Sequence, residues 1–203
     1  MPLGPKARRT RAEILAAADQ VFAERGYLQT TVADIALAAG VSLGTVYQYF
    51  RDRSDLVAAL VQTTLVDMLN RTDATWRADE GIEGLERVLH NFVSAYASAA
   101  PMAGVWEEVC FVEPELASLR RALGRLFTGA VETELVRIVD SGLADPALDP
   151  AIAARALAGM VDRYCYVTYV FDPPPQGAPS AEESARVLTR IWLAGIGLLD
   201  DPC

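Results

Sequence analysis

The chain has 203 residues, 52% of them hydrophobic and 22% charged, with a formal net charge of −9. That length sustains a buried core in one or two domains, and that composition excludes disordered and collagen-like chains. The charge is unevenly placed: residues 1–55 hold seven Lys/Arg against six Asp/Glu, whereas the remainder holds 11 basic and 21 acidic residues, so a polyanion-binding surface is confined to the first part.

The start, MPLGPKARRTR, is basic and broken by Pro and Gly, with no hydrophobic stretch behind it, so it is not a secretory signal. Residues 1–7 read as a flexible basic arm. From Arg8 to Arg25, Ile14, Leu15, Ala18, Val21 and Phe22 recur on one helical face, and Gly26 stands where a helix-ending glycine belongs. Thr31 is an N-cap with Asp34 three residues on, opening a short helix whose inner face is Val32, Ile35, Ala36 and Ala39. Gly40 in AGVS permits a sharp turn, Ser42 caps the next helix, and Val46 and Phe50 face inward from it. Two short helices around a glycine turn make a helix-turn-helix.

The set Ala18, Phe22, Gly26-Tyr27, Thr30-Thr31-Val32, Ile35-Ala36, Ala39-Gly40-Val41-Ser42, Gly44-Thr45, Tyr47, Phe50 and Leu56 resembles the DNA-binding head of the tetracycline-repressor (TetR) family in residue type and spacing. Two residues depart from the family pattern: Tyr49 stands where His is common, and Arg53 where Lys is usual. The resemblance implies a DNA-binding domain over 8–55 and a ligand-binding and dimerisation domain over 56–203. A head of this kind lays its second helix in the major groove of double-stranded DNA, which displays a distinct donor and acceptor pattern for each base pair. Ser42, Leu43, Gly44, Thr45, Tyr47, Gln48 and Tyr49 form its outer surface, with Gln48 suited to adenine and Thr45 to a base edge or a thymine methyl. Gly44 allows close backbone approach, and Tyr47 and Tyr49 reach phosphates. Thr31 presents a helix N-terminus, and Arg51 and Arg53, with Lys6, Arg8, Arg9 and Arg11, supply salt-dependent attraction.

After Phe50 a long amphipathic helix carries Leu56, Leu60, Val61, Leu65 and Met68 on its inner stripe. ADEGIEGL breaks the pattern, Leu85–Ala100 resumes it, and Pro101 and Pro114 bound a short element containing Trp106. Leu116–Val139 is helical and ends at SGLADPALDP; Ile152–Phe171 and Ala181–Leu199 are helices flanking the loop DPPPQGAPS. With no β alternation and no internal repeat, the expected fold is all-α, with about nine helices.

Catalytic and metal motifs are lacking. His90 is the lone histidine and has no nucleophile-plus-base pattern around it, and Glu107 and Glu108 are adjacent and so diverge on a helix. Cys110, Cys165 and Cys203 are widely spaced, which excludes a zinc ribbon and points to reduced thiols in the cytoplasm. No enzyme activity, cofactor, metal or membrane partner is expected. The family resemblance implies a pocket for an unknown small-molecule effector and a homodimer built on the last two helices. Phe92, Tyr96, Trp106, Phe127, Arg163 and Tyr166 are the pocket candidates; an arginine there would favour an anionic ligand. Tyr164, Val167, Val187, Leu188, Ile191 and Trp192 are the candidates for the dimer face. The expected function is a homodimeric repressor released from a pseudo-palindromic operator by its effector. A ligand-independent regulator or activator with the same head, and a ligand carrier or enzyme with a vestigial head, stay open as alternatives.

Overall fold

The structure, a computed structural model, describes residues 4–71, 76–174 and 176–198; for 64–71 and 78 it describes the backbone alone. Leu65, Met68 and Cys203 therefore lie outside the described side chains. Nine α-helices run in chain order among the described residues: α1 (Pro5–Arg25), α2 (Val32–Ala38), α3 (Leu43–Tyr47), α4 (Arg53–Arg71), α5 (Gly81–Ser98), α6 (Ala100–Val112), α7 (Pro114–Asp140), α8 (Pro150–Tyr166) and α9 (Ala181–Ile196). One 3-10 turn, Ala78–Glu80, precedes α5, and α8 widens into a π turn at Val167–Phe171. No strand occurs among the described residues, so the fold is all-α.

Local chemistry sets the helix ends. Pro5 starts α1, three residues ahead of the apolar pattern, because proline fits the first helical position, where an amide hydrogen has no partner. Gly26, with φ +73°, stops α1 in a conformation that side-chain-bearing residues avoid. Thr31 and Asp34 form a reciprocal capping box at α2. The two bonds from Thr31 hold the Asp34 carboxyl below its ordinary range. Ser42, Asp149 and Ser180 cap α3, α8 and α9 through their side-chain oxygens.

The chain forms two compact units, one from the residues up to Val66 with Pro101–Arg120, the other from Asp67–Ala100 with the chain from Arg121 onward. In the first unit, Ile14, Ala18 and Phe22 of α1 pack with Ile35 of α2, Val46 of α3, Phe50, and Leu56 and Val57 of α4. Met102, Val105 and Val109 of α6 belong to this same core, although the sequence reading assigns that segment to the second domain. Trp106 and Cys110 pack against it from the side.

In the second unit, Leu85, Leu89 and Val93 of α5 meet Leu188, Trp192 and Ile196 of α9, with Leu135 and Ile138 of α7 and Leu157 and Val161 of α8 completing the core. The α5 and α9 residues each recur every four positions, close to the helical repeat, which explains why each helix buries one face. Cys165 is buried here; burial, with the nearby Asp162 charge, pushes its thiol up to about 12, which leaves it unreactive at neutral pH.

Candidate functional site

The outward surface of α3 is built from side chains that the first unit's core does not use. Tyr47 is 52% exposed and Leu43 42%, and Ser42, Gly44 and Gln48 are exposed with them. Ser42 Oγ accepts the Thr45 amide at 3.1 Å and shares a 2.8 Å hydrogen bond with Thr45 Oγ1, which pins the first turn of a helix far too short to persist alone. Tyr49 is half-buried against the core, so it offers an edge rather than a whole ring. A Cβ placed on Gly44 would meet only Ser42 Oγ, at 3.8 Å. The chain's own packing thus gives no reason for glycine mid-helix, which costs about 1 kcal/mol against alanine. Leu37 on α2 is also exposed, at 83%. It was missed in the sequence, although it falls off α2's inward stripe.

Two residues assigned to phosphate contact are otherwise engaged. Thr31 donates both its amide, at 2.9 Å, and its hydroxyl to Asp34, so its polar groups serve the cap. Arg53 points inward: Nη1 lies 3.0–3.3 Å from the carbonyls of Tyr27, Leu28 and Thr30, and the guanidinium sits 4.0 Å from the Tyr27 ring centroid. It secures the α1–α2 turn rather than facing solvent. Arg51 stays outside, its side chain 78% exposed and paired loosely with Asp55 at 3.7 Å. Arg11 packs 5.0 Å over the Phe50 ring, and Arg9 pairs with Glu13 at 2.8 Å.

The same turn is held from α6 and the start of α7. Glu108 accepts the amides of Tyr27 at 2.7 Å and Leu28 at 3.1 Å, and Glu113 accepts the Tyr27 hydroxyl at 2.6 Å. Glu107 diverges, as adjacent helical residues must, and pairs with Arg120. Burial and the Glu113 bond push the Tyr27 phenol up to about 12, with Arg53 opposing. A raised acid binds its proton more tightly folded than unfolded, so this contribution is complete below about pH 10 and is lost as pH climbs toward 12. Urea midpoints measured across that window are expected to fall less steeply in a Tyr27→Phe variant than in the parent chain; parallel curves would show that Tyr27 does not carry the alkaline loss.

In the second unit a cavity of ≈ 40 Å³ lies between α5, α7 and α9. Phe92 and Phe127 line it, stacked at 5.5 Å, and Tyr96 lies one turn from Phe92 at 6.1 Å. Trp106 belongs to the first unit's core, and Arg163 and Tyr166 stack on each other at 5.0 Å away from the cavity. The walls missed in the sequence include Trp76, Trp192 and Glu134. Trp76 falls within the irregular stretch before α5, where no periodicity marks a buried residue.

The dimer candidates divide. Val187 is 53% exposed and Ile191 48%, whereas Leu188 and Trp192, one position on from each, are buried in the chain's own core and are not available to a partner. Tyr164 shares its hydroxyl with Ser184 at 2.8 Å, and Val167 is half-buried in the π turn. On the neighbouring α8, Ile152 is exposed, and a Cβ on Gly159 would meet nothing.

Among the described residues no group of His, Cys, Asp and Glu is placed to hold a metal ion, and no helix is long and apolar enough to cross a membrane. A family model described as "Bacterial regulatory proteins, tetR family" matches residues 14–60. The HTH-type transcriptional repressor BepR of Brucella suis is 45% identical over 56 residues, 28% of this chain and 27% of that protein. The HTH-type transcriptional regulator BetI of Stenotrophomonas maltophilia is 32% identical over 160 residues, 75% of this chain and 77% of that protein. For the first curated relatives the chain spans much less of their length, 37% of one and 28% of another. In structure the chain is similar to NalD of Pseudomonas aeruginosa, the secondary repressor of the MexAB-OprM multidrug efflux pump, at a TM-score of 0.75 and 21% identity over 95% of this chain and 98% of that one. With more than three quarters of one relative aligned at 32% identity and the family's own head at residues 14–60, the chain belongs to the tetR family of bacterial regulatory proteins.

Proposed function

We propose that the protein is a homodimeric, ligand-responsive transcriptional repressor that leaves a pseudo-palindromic operator when a small molecule binds its second unit. The observation that carries the reading is the outward face of α3: Gly44, Tyr47 and Gln48 are exposed, and nothing among the described residues accounts for them. A short helix displaying a planar amide, a phenol and a gap for close backbone approach suits the major groove. The names of BepR and NalD as repressors favour repression over activation. Two heads related by two-fold symmetry would occupy half-sites one helical turn apart. Ligand would act by shifting the population of dimers away from that spacing.

Gel-shift and footprinting titrations on the DNA upstream of the protein's own coding region, with and without metabolite extracts, test this. Two variants separate the roles on the head. Gln48→Ala is expected to relax base choice, costing about 1–3 kcal/mol on the operator and far less on random DNA. Arg51→Ala is expected to weaken both alike and to reduce the salt slope by about one. Equal losses on the two DNAs for Gln48→Ala would remove that residue from base readout. A second reading, a regulator that needs no ligand, is favoured by the small size of the cavity; it expects no extract to release the operator.

A further inference from the structure

Of the side chains on the outward face of α3, which are Ser42, Leu43, Thr45, Tyr47 and Gln48, only Leu43 lacks a polar group. A leucine exposed singly on a protein surface says little, because apolar atoms make up much of any surface. Here the neighbours make it informative. Ser42 and Thr45 turn their hydroxyls to one another at 2.8 Å, and Ser42 Oγ also accepts the Thr45 amide at 3.1 Å, so both are tied to the helix's own first turn. Thr45 is half-buried besides, whereas Leu43 is 42% exposed and Tyr47, one turn further along the same face, 52%. Gly44 adds no side chain beside Leu43, and a Cβ there would stay 3.8 Å from Ser42 Oγ, so the backbone is free to come close to whatever lies opposite.

Resting on the DNA-binding reading, we propose that Leu43 selects thymine in the operator, by packing its isobutyl group on the thymine C5-methyl in the major groove. Phosphate contacts are made by hydrogen-bond donors, which leucine lacks. The base edges of the major groove present donors, acceptors and one apolar group, the methyl of thymine. Over a cytosine the same side chain would cover the exocyclic amino group and offer it no acceptor, which opposes binding. Close approach of the helix at Gly44 brings a side chain as short as leucine within reach of those edges. The methyl contact that residue types alone give to Thr45 passes to Leu43, and Thr45 is left to hold the turn.

The probe is a random-sequence duplex pool, from which the full chain selects its own binding sites. Each thymine of a selected duplex is then replaced singly by deoxyuridine, which removes the C5-methyl and keeps every hydrogen-bonding group. The parent chain is expected to lose about fourfold in affinity at one or two thymines of each half-site, the worth of one buried carbon. In Leu43→Ala those penalties should vanish, while uracil elsewhere in the site acts alike on both chains. Alanine is a strong helix former and Leu43 is exposed, so this variant keeps the fold. Thr45→Ser, which retains the hydroxyl and removes only the methyl, should leave the penalties in place. The proposal is overturned if no uracil costs the parent chain affinity, if the penalties persist in Leu43→Ala, if Thr45→Ser abolishes them, or if Leu43→Ala weakens selected and random duplexes alike. Each of those results leaves the DNA-binding reading standing. A pool that yields no site at all would instead sink that reading, and the role of Leu43 with it.

Discussion

Arg53→Ala is expected to lower the stability of the first unit by about 2–4 kcal/mol, and to abolish DNA binding through that loss rather than through a missing phosphate contact. The guanidinium satisfies the carbonyls of Tyr27, Leu28 and Thr30 and stacks on the Tyr27 ring. A hydrogen bond from a charged donor contributes about 1.5–3 kcal/mol, and a partly buried cation–π contact about 1 kcal/mol more. These terms overlap because one nitrogen serves three acceptors, so the expected loss is well below their sum. Glu108 grips the amides of the same turn from the other side, so the turn's donors and acceptors are both met by side chains from outside it. Removing Arg53 takes the side-chain donor from all three carbonyls, of which Tyr27's keeps the Thr30 amide at 3.3 Å, and strips the guanidinium from one face of the buried Tyr27 ring. Arg53→Lys should recover only part of the loss, since an ammonium neither forks nor stacks as a planar guanidinium does. Urea or thermal unfolding of the three chains measures this directly. An unfolding midpoint that stays put while DNA affinity drops and the salt slope falls by about one would return Arg53 to the phosphate-binding role the sequence assigned it.

The contrast shows which kinds of information a sequence carries. The caps were legible because Thr31 with Asp34, Ser42 and Gly26 act within three or four residues of themselves. The order of the helices was legible because apolar periodicity is itself local. Arg53 was not, since its acceptors are main-chain carbonyls 23–26 residues upstream and any residue type supplies a carbonyl. The family pattern, with Lys usual at that position, pointed to a phosphate contact, whereas the geometry gives Arg53 a role in the turn. Placement of α6 failed for a related reason: Met102, Val105 and Val109 announce a buried face but not which core receives it. The cavity fared worse still. Phe92 and Phe127 were found as aromatics on helices, while Trp76 lies in a stretch without periodicity and Glu134 reads as one more acidic residue on an acidic chain. On α9 the signal was ambiguous by nature: Val187, Leu188, Ile191 and Trp192 are all apolar, and a helix apolar on two faces does not say which face is the chain's own.

That ambiguity makes α9 the place where association and folding are best separated. Val187→Glu combined with Ile191→Glu is expected to leave the fold intact and turn a dimer into a monomer, because both side chains are about half exposed and neither lines the core. A two-fold interface brings each substituted residue against the same patch on its copy, so four carboxylates would crowd one desolvated surface, at a cost of several kcal/mol. Sedimentation should then report a single chain. Affinity for a two-half-site operator should fall by about 100-fold or more, the avidity of a linked second head being lost. Leu188→Ala, next along the helix, should behave in the opposite manner: it hollows the core where Leu188 is 3% exposed and costs about 2–5 kcal/mol of stability, while the surviving folded chains still pair. Neighbouring positions with crossed effects are a stringent demand, for a general weakening of α9 would lower stability and association together in both. If the double glutamate variant still sediments as a dimer, the exposed apolar residues of α9 lie outside the interface, and the proposed two-headed grip on DNA would have to rest on another face.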